Sequence, residues 1–424
     1  MNHDMLKRVV FDQHQIIREA AIVPRRYHLD PQANYVVTGL RRAGKSTLLY
    51  GVVRQLVESG VAWSRIIYIN FEDERLADFS LTDFEDITQV QAELSDERGF
   101  YFFDELQNIP GWEKFARRMA DAGERVYITG SNATMLSGQI ASTLGGRYFV
   151  QHVTPYRFDE YLDAQGQPRD EAALFTSKEI GRIARHFDGF YRNGGFPESL
   201  RYELPRAYVE SVYQKVLLGD IAMRNQVRSP DALRVLMKKV AETVRSDVSY
   251  SSLYNTLKSI GYGISKDTLI AYLGYAKEAY LIFDIKNAVT KFVERESNPK
   301  YYFSDNGLLN LFLADRDTAL LENEVAVALR DAYGDALHYL KSSKHGIDID
   351  FYLPDVKCAV QVAYSIAGPA RRREIENLVK LHRLDAEVKR LFIVTKSEEE
   401  TIEEDGCVIE VLPAWKFLLK ECLS

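Results

Sequence analysis

The sequence predicts an α/β chain built on a parallel sheet with helices on both faces, and three observations predict it. Residues 38–47 read Thr-Gly-Leu-Arg-Arg-Ala-Gly-Lys-Ser-Thr, between a strand-like run at Tyr35-Val36-Val37 and a helix-like one from Ser46 to Leu56. Gly99-Phe100-Tyr101-Phe102-Phe103 is an aromatic, strand-like run that ends in Asp104-Glu105. Strands and helices alternate from residue 31 to 150, with Ile66 to Phe71 and Val126 to Thr129 as further strands. Alternation of that kind gives parallel strands joined by crossover helices.

In chain order, Leu6 to Ala21 reads as a lead-in helix before the first strand. The strand then enters Gly39, four residues, and Gly44-Lys45-Ser46, the pattern of a phosphate-binding loop. The glycines let the backbone fold back so that its N–H groups point at a pyrophosphate. On this reading Gly39, Leu40, Arg41, Arg42, Ala43, Gly44, Lys45, Ser46 and Thr47 cradle a nucleotide. Lys45 reaches the β/γ-phosphates and Ser46 places a hydroxyl on Mg²⁺. Arg41 and Arg42 add positive potential or face a partner. A plain glycine turn is the competing reading; strand, loop and helix together favour the nucleotide.

The aromatic strand supplies the other half. A carboxylate at the carboxyl end of a buried parallel strand sits where such sheets bind ligands. Asp104 is expected to hold Mg²⁺ beside Ser46, and Glu105 to orient and polarise the attacking water. Ser131 and Asn132, after the strand Val126 to Thr129, are expected either to sense the terminal phosphate or to cap the next helix. Arg147, in Leu144-Gly145-Gly146-Arg147-Tyr148, is a candidate arginine finger acting in cis or from a neighbouring subunit, against the reading of a surface arginine.

Tyr35 to Leu49, Phe100 to Trp112 (with Phe103-Asp104-Glu105-Leu106-Gln107) and Ile128-Thr129-Gly130-Ser131 resemble the AAA-superfamily P-loop ATPases of bacteria and archaea known as the AAA_14 group with DUF4143. Gly145-Gly146-Arg147, Thr154 to Leu162, Gly194-Gly195-Phe196-Pro197-Glu198 and Tyr302 to Leu308 extend the likeness over nearly the whole chain. The resemblance implies Walker A and Walker B elements, ATP rather than another nucleotide, and hydrolysis. Glu105, Lys45 and Arg147 are then the catalytic set, Ser131 joins the nucleotide contacts, and Ser46 and Asp104 hold the metal.

Four regions are expected: a P-loop domain at 1–154, a helical lid at 155–225, a winged helix at 226–312 and an α/β domain at 313–424. Asp188 to Pro197 reads as a break within the helical part. The winged helix follows from helices at Asp231 to Val244, from Ser251, and after the Ser265 cap, then strands Leu281 to Ile285 and Lys300 to Phe303. Ile264, Leu269, Ile270 and Leu273 are expected inside. Lys266, Thr268, Tyr272 and Lys277 form the expected duplex-DNA face, with Lys291 and Arg295 on the hairpin touching phosphate. Contact with protein alone is the competing reading. The last region, with strands Leu337 to Leu340, Ile347 to Leu353, Cys358 to Tyr364 and Leu391 to Thr395 around a helix from Pro369 to Leu381, resembles the restriction-endonuclease-like fold. Glu322 and Asp350 occupy carboxylate places, but the third strand offers Gln361-Val362-Ala363 where an acid and a lysine are needed. Lys341 or Lys344 could replace that lysine; the favoured expectation is a domain without nuclease activity.

The chain has 424 residues, enough for several cores, and a hydrophobic fraction of 46%. A net charge of −7 argues against strong nonspecific nucleic-acid binding by the whole molecule, although Ile221 to Lys300 carries 13 Lys/Arg against 8 Asp/Glu. No apolar run approaches the roughly 18–20 residues that cross a bilayer. Cys358, Cys407 and Cys422 lack metal-like spacing and suit free thiols. The expectation is a cytoplasmic, Mg·ATP-dependent protein that couples nucleotide state to rearrangement of its later regions. The alternative is a nucleotide-gated module with little turnover that recruits a protein partner.

Overall fold

The computed structural model describes residues 3–132, 142–288, 296, 298–314 and 317–420. It forms two compact units, Met1–Thr154 with Glu278–Tyr280, and Pro155–Lys277 with Leu281–Ser424. Among the described residues no helix is long and apolar enough to cross a membrane.

The first unit begins with α1 (His3–Glu19), two to three residues ahead of its expected bounds, and continues β1 (Asn34–Thr38), α2 (Lys45–Glu58), β2 (Ile66–Asn70), α3 (Phe84–Leu94), β3 (Phe100–Asp104), α4 (Trp112–Asp121), β4 (Arg125–Gly130) and β5 (Tyr148–His152). The strands lie in the order β2-β3-β4-β1-β5 and every pair is parallel. That is the expected α/β sheet. β1 is buried throughout, as a strand covered on both faces should be.

Alternation along the strands sends two sets of side chains to opposite faces. On one face Tyr68, Phe102, Tyr127 and Tyr35 lie side by side across four strands, with Phe102 and Tyr127 stacked at 4.7 Å. On the other, Val36, Ile67, Ile69, Phe103 and Ile128 join a core with Leu6 and Val10 of α1, Ile87 and Val90 of α3, and Trp112 and Phe115 of α4. Burying such aromatic and branched side chains contributes about 1.5–3 kcal/mol each. The register leaves the carboxyl ends of β1, β3 and β4 level with one another.

The second unit opens with α5 (Phe158–Ala164), α6 (Glu171–Leu174), α7 (Ser177–Asn193) and α8 (Pro205–Lys215), the last running on as π-helical turns over Val216–Met223. The expected break starts late: Asp188 to Asn193 stay helical, and α7 stops at Gly194, whose φ is +75°. Three helices follow, α9 (Pro230–Glu242), α10 (Tyr250–Ser259) and α11 (Lys266–Glu278), then β6 (Ile282–Asn287), β7 (Lys300–Phe303), α12 (Asn306–Leu309) and α13 (Asp317–Tyr333). The remainder is β8 (His338–Ser342), β9 (Ile347–Leu353), β10 (Cys358–Val362), α14 (Pro369–Leu384), β11 (Arg390–Thr395), β12 (Glu400–Glu404), β13 (Cys407–Pro413) and α15 (Ala414–Leu419). β6 and β7 continue the C-terminal strands into one eight-stranded mixed sheet, in the order β12-β13-β11-β10-β9-β8-β6-β7. Ile347, Ile349, Ala359, Ile393 and Ile409 pack there with Leu378 and Val379 of α14.

Two side chains of α11 sit opposite to expectation. Tyr272 is buried and its hydroxyl accepts the Ser229 N–H, while Ile270 is exposed. Leu269, Leu273 and Ala276 set the buried stripe at i, i+4 and i+7, which includes i+3 and excludes i+1. Cys358 and Cys407 are buried free thiols. Lys291, Arg295 and Cys422 lie outside the described residues.

Candidate functional site

β1 ends at Thr38 and the loop turns back over it. A Cβ on Gly39, whose φ is +144°, would lie 2.0 Å from the Val153 carbonyl oxygen, so only glycine allows that approach. Val153 N–H donates to the Thr38 carbonyl at 2.8 Å. Gly44, in the left-handed region, starts α2 with no side-chain cap, leaving the first-turn N–H groups directed at the loop's hollow. Lys45 is buried and donates to the Gly39 and Leu40 carbonyls at 3.0 and 3.1 Å. A third arginine, unforeseen in the sequence, braces the loop: Arg25 donates to the Ala43 carbonyl at 3.1 Å and the Thr154 carbonyl at 2.8 Å. Arg41 binds Glu72 through both terminal nitrogens, and Arg42 is exposed at φ +65°. Thr47 is half-buried in the first turn of α2.

At the end of β3, Asp104 is 2% exposed. Tyr68 donates to its Oδ2 at 3.0 Å, Thr129 donates to its Oδ1, and the Ser46 hydroxyl hydrogen-bonds it as well. Burial pushes this carboxyl above the usual range, the Glu105 carboxylate pushes the same way, and the three hydroxyls oppose both. Burial likewise raises the Tyr68 phenol, with Asp104 adding to it, so Tyr68 acts as a donor. The Thr129 hydroxyl also accepts the Glu105 N–H at 2.9 Å, which ties the two acids together. Glu105 holds a left-handed backbone at φ +52°, a conformation that costs energy and clusters at functional sites. Its Oε2 accepts from Ser131 Oγ at 3.2 Å and from Gln107 Nε2.

Lys45, Ser46, Asp104, Glu105 and Ser131 are therefore brought together at the carboxyl ends of β1, β3 and β4. The donor set fits a hard divalent cation: a hydroxyl and a carboxylate in contact, and a buried acid whose repulsion from the neighbouring carboxylate such a charge would relieve. Mg²⁺ there would rest on Ser46 and Asp104.

Arg147 is not part of this arrangement. It precedes β5, whose first residue pairs with Asn34 at the amino end of β1, one strand length (about 13 Å) from the loop. Its guanidinium is bound to Asp121. The cis finger is corrected on that ground.

The second carboxylate group of the sequence also converges, around a lysine that the sequence did not mark. Asn323 hydrogen-bonds both the N–H and the carbonyl of Phe303, which sets α13 against β7. Lys300 on β7, 3% exposed, then lies 3.2 Å from Asp350 Oδ1 and 3.5 Å from Glu322 Oε1. Burial pulls this ammonium down, but Glu322, Asp350 and Asp348 outweigh it and hold it above its ordinary value. Gln361 accepts the Asp350 N–H at 2.7 Å and donates to the Asp348 carbonyl and to Glu374, so both ends of its amide are used. Lys341 is exposed and paired with Asp247, and Lys344 is exposed.

On the DNA face expected for α11, Lys266 donates to Ser251, Lys277 pairs with Asp284 at 2.9 Å, and Tyr272 is buried.

A family model described as an AAA domain, AAA_14, matches residues 32–162. A second, a domain of unknown function named DUF8612, matches residues 184–319; DUF4143 does not figure in that match. An uncharacterized protein of Haemophilus influenzae is 30% identical over 394 residues, covering 91% of this chain and 94% of its own. The uncharacterized protein MJ1544 of Methanocaldococcus jannaschii is 28% identical over 436 residues, covering 98% and 95%. Among solved structures, a Walker-type ATPase of Pyrococcus abyssi aligns with a TM-score of 0.41 at 16% identity, over 73% of this chain and 95% of that one.

Proposed function

The chain belongs to the AAA_14 family of AAA-superfamily P-loop ATPases, and on that premise we propose that it binds Mg·ATP and hydrolyses it. One observation carries the reading: a single hydroxyl, Thr129 Oγ1, bonds both the Asp104 carboxylate and the Glu105 backbone, beside Lys45 and Ser46. A site that only bound nucleotide would have no need of the second acid.

In this reading the loop N–H groups and Lys45 hold the phosphates, Lys45 exchanging its two carbonyl partners for phosphate oxygens. Mg²⁺ on Ser46 and Asp104 supplies charge neutralisation. Glu105 orients a water whose oxygen attacks the γ-phosphorus and takes up its proton. The bridging P–O bond breaks with its electrons leaving on ADP. Ser131 supports Glu105 rather than the phosphate, given its bond to Oε2.

Duplex DNA is proposed as a partner of the amino end of α11, where Lys266 and Thr268 remain accessible. Charge reversal at Lys266 tests it, and unchanged DNA affinity removes this partner. The core reading is tested by steady-state ATP turnover in wild type, Lys45→Ala and Glu105→Gln. Turnover lost in both variants, with binding lost only in Lys45→Ala, supports it. Tight binding with negligible wild-type turnover favours the nucleotide-gated module instead.

A further inference from the structure

Gln107 stands in the 3₁₀ turn Leu106–Asn108, which closes directly onto Glu105: the Asn108 N–H donates to the Glu105 carbonyl at 3.2 Å. Its side chain reaches back to the same residue and donates through Nε2 to Glu105 Oε2. The amide's orientation follows from chemistry, because only the NH₂ half can bind a carboxylate. Gln107 Oε1 is thereby committed as an acceptor, and it is buried with no hydrogen-bond partner. A buried acceptor left unbonded costs about 1–3 kcal/mol, so it needs a reason. On the facing side, Glu105 Oε2 already accepts from Gln107 and Ser131, and neither bond uses Glu105 Oε1.

From this geometry we propose that Gln107 is a positioning residue for hydrolysis. It fixes the Glu105 carboxylate through Nε2, at the expense of leaving its own buried oxygen unbonded, so that the carboxylate meets the attacking water in one orientation. Glu105 Oε1, which neither bond uses, is left to take the water's proton. The proposal rests on the ATPase reading, and goes beyond it in naming what orients Glu105. A glutamine is chemically suited to this, since its amide donates to a carboxylate and does not titrate.

The test uses the full chain with Gln107→Met, which keeps the length of the side chain and removes both polar ends. Expected are a loss of kcat of at least about tenfold and an ATP dissociation constant within about twofold of wild type. The double variant Glu105→Gln/Gln107→Met should be no slower than Glu105→Gln alone, because Gln107 acts through Glu105. Unchanged kcat in Gln107→Met overturns the proposal. So does full additivity in the double variant, and so does a joint loss of affinity and turnover, which would make the residue structural. Negligible turnover in the wild type removes the ATPase assignment itself, and full turnover in Glu105→Gln removes Glu105 from its role; both are read without any change at Gln107.

Discussion

Tyr68 reaches Asp104 from within the aromatic row of the sheet, its hydroxyl 3.0 Å from Oδ2. The packed face of the fold and the polar end of the site thus share one side chain. Phe102, stacked on Tyr68, sits two residues before Asp104 on the paired strand. The row packed across the sheet also aims the donor.

Tyr68→Phe keeps the ring and deletes that donor. Asp104 then loses one of its three hydroxyl partners in a buried place, and the chain should be destabilised by about 1–3 kcal/mol in urea unfolding. An unchanged midpoint would mean that the bond contributes nothing net.

Asp104→Asn separates binding from stability. Burial, then Glu105, raises the Asp104 carboxyl in the folded chain. A raised folded value favours the native state at acid pH, and that contribution is lost as pH rises through it. Near neutral pH the nucleotide-free variant should melt at or above the wild-type temperature, while Mg²⁺ should no longer strengthen ATP binding. A lower midpoint together with intact Mg²⁺ dependence would remove Asp104 from the metal.

Lys300→Met strands a buried acid, Glu322, and a half-buried one, Asp350. Removing one partner of a buried ionic group costs about 3–5 kcal/mol. Burial and Asp350 already push Glu322 up, against Lys300, Tyr302 and Arg245, so the lost ammonium would raise it further. The deficit should therefore be larger at alkaline than at acid pH, read by urea unfolding at both. A deficit independent of pH would show that Lys300 matters for packing alone.

Asp305 gives the second unit a titration of its own. It accepts the Gly195 and Gly307 N–H groups at 2.7 and 2.8 Å, yet burial pushes its carboxyl up to about 6. With the folded value above the unfolded one, its contribution is complete below the unfolded pKa and fades as pH rises through about 6. Burial and Asp305 raise the neighbouring Glu324 carboxyl in the same sense. The thermal midpoint should fall over that interval, and Asp305→Ser, which keeps a cap for Gly307, should flatten the fall. An equal slope in the variant would assign the titration elsewhere.

The sequence showed the phosphate loop and the acid-tipped strand because both are local: glycine spacing and a run of aromatics are read without knowing the fold. Tyr68, Arg25 and Lys300 were not legible, since strand register and chain return bring them to their sites from 18 to 129 residues away. Gln107 was in view as part of Phe103 to Gln107, but nothing local said that its side chain turns back. Tyr272 and Ile270 were exchanged by a phase choice on one helix, where Tyr272 has the polar tip that suggested solvent. β12 and β13 escaped notice because β12, Glu400–Glu404, buries only Ile402 among acidic and hydroxyl side chains at the sheet edge. Arg147 illustrates the opposite error. A Gly-Gly-Arg motif attracted a role that the amino end of β5 does not permit within one chain.

Steady-state ATP hydrolysis by wild type and Glu105→Gln, with Mg²⁺ and with nucleotide affinity measured alongside, tests the central claim most directly. The account expects wild-type turnover that requires Mg²⁺, and a variant that binds ATP as tightly while its turnover falls by about a hundredfold or more. Equal turnover in the two proteins, at equal affinity, would contradict it.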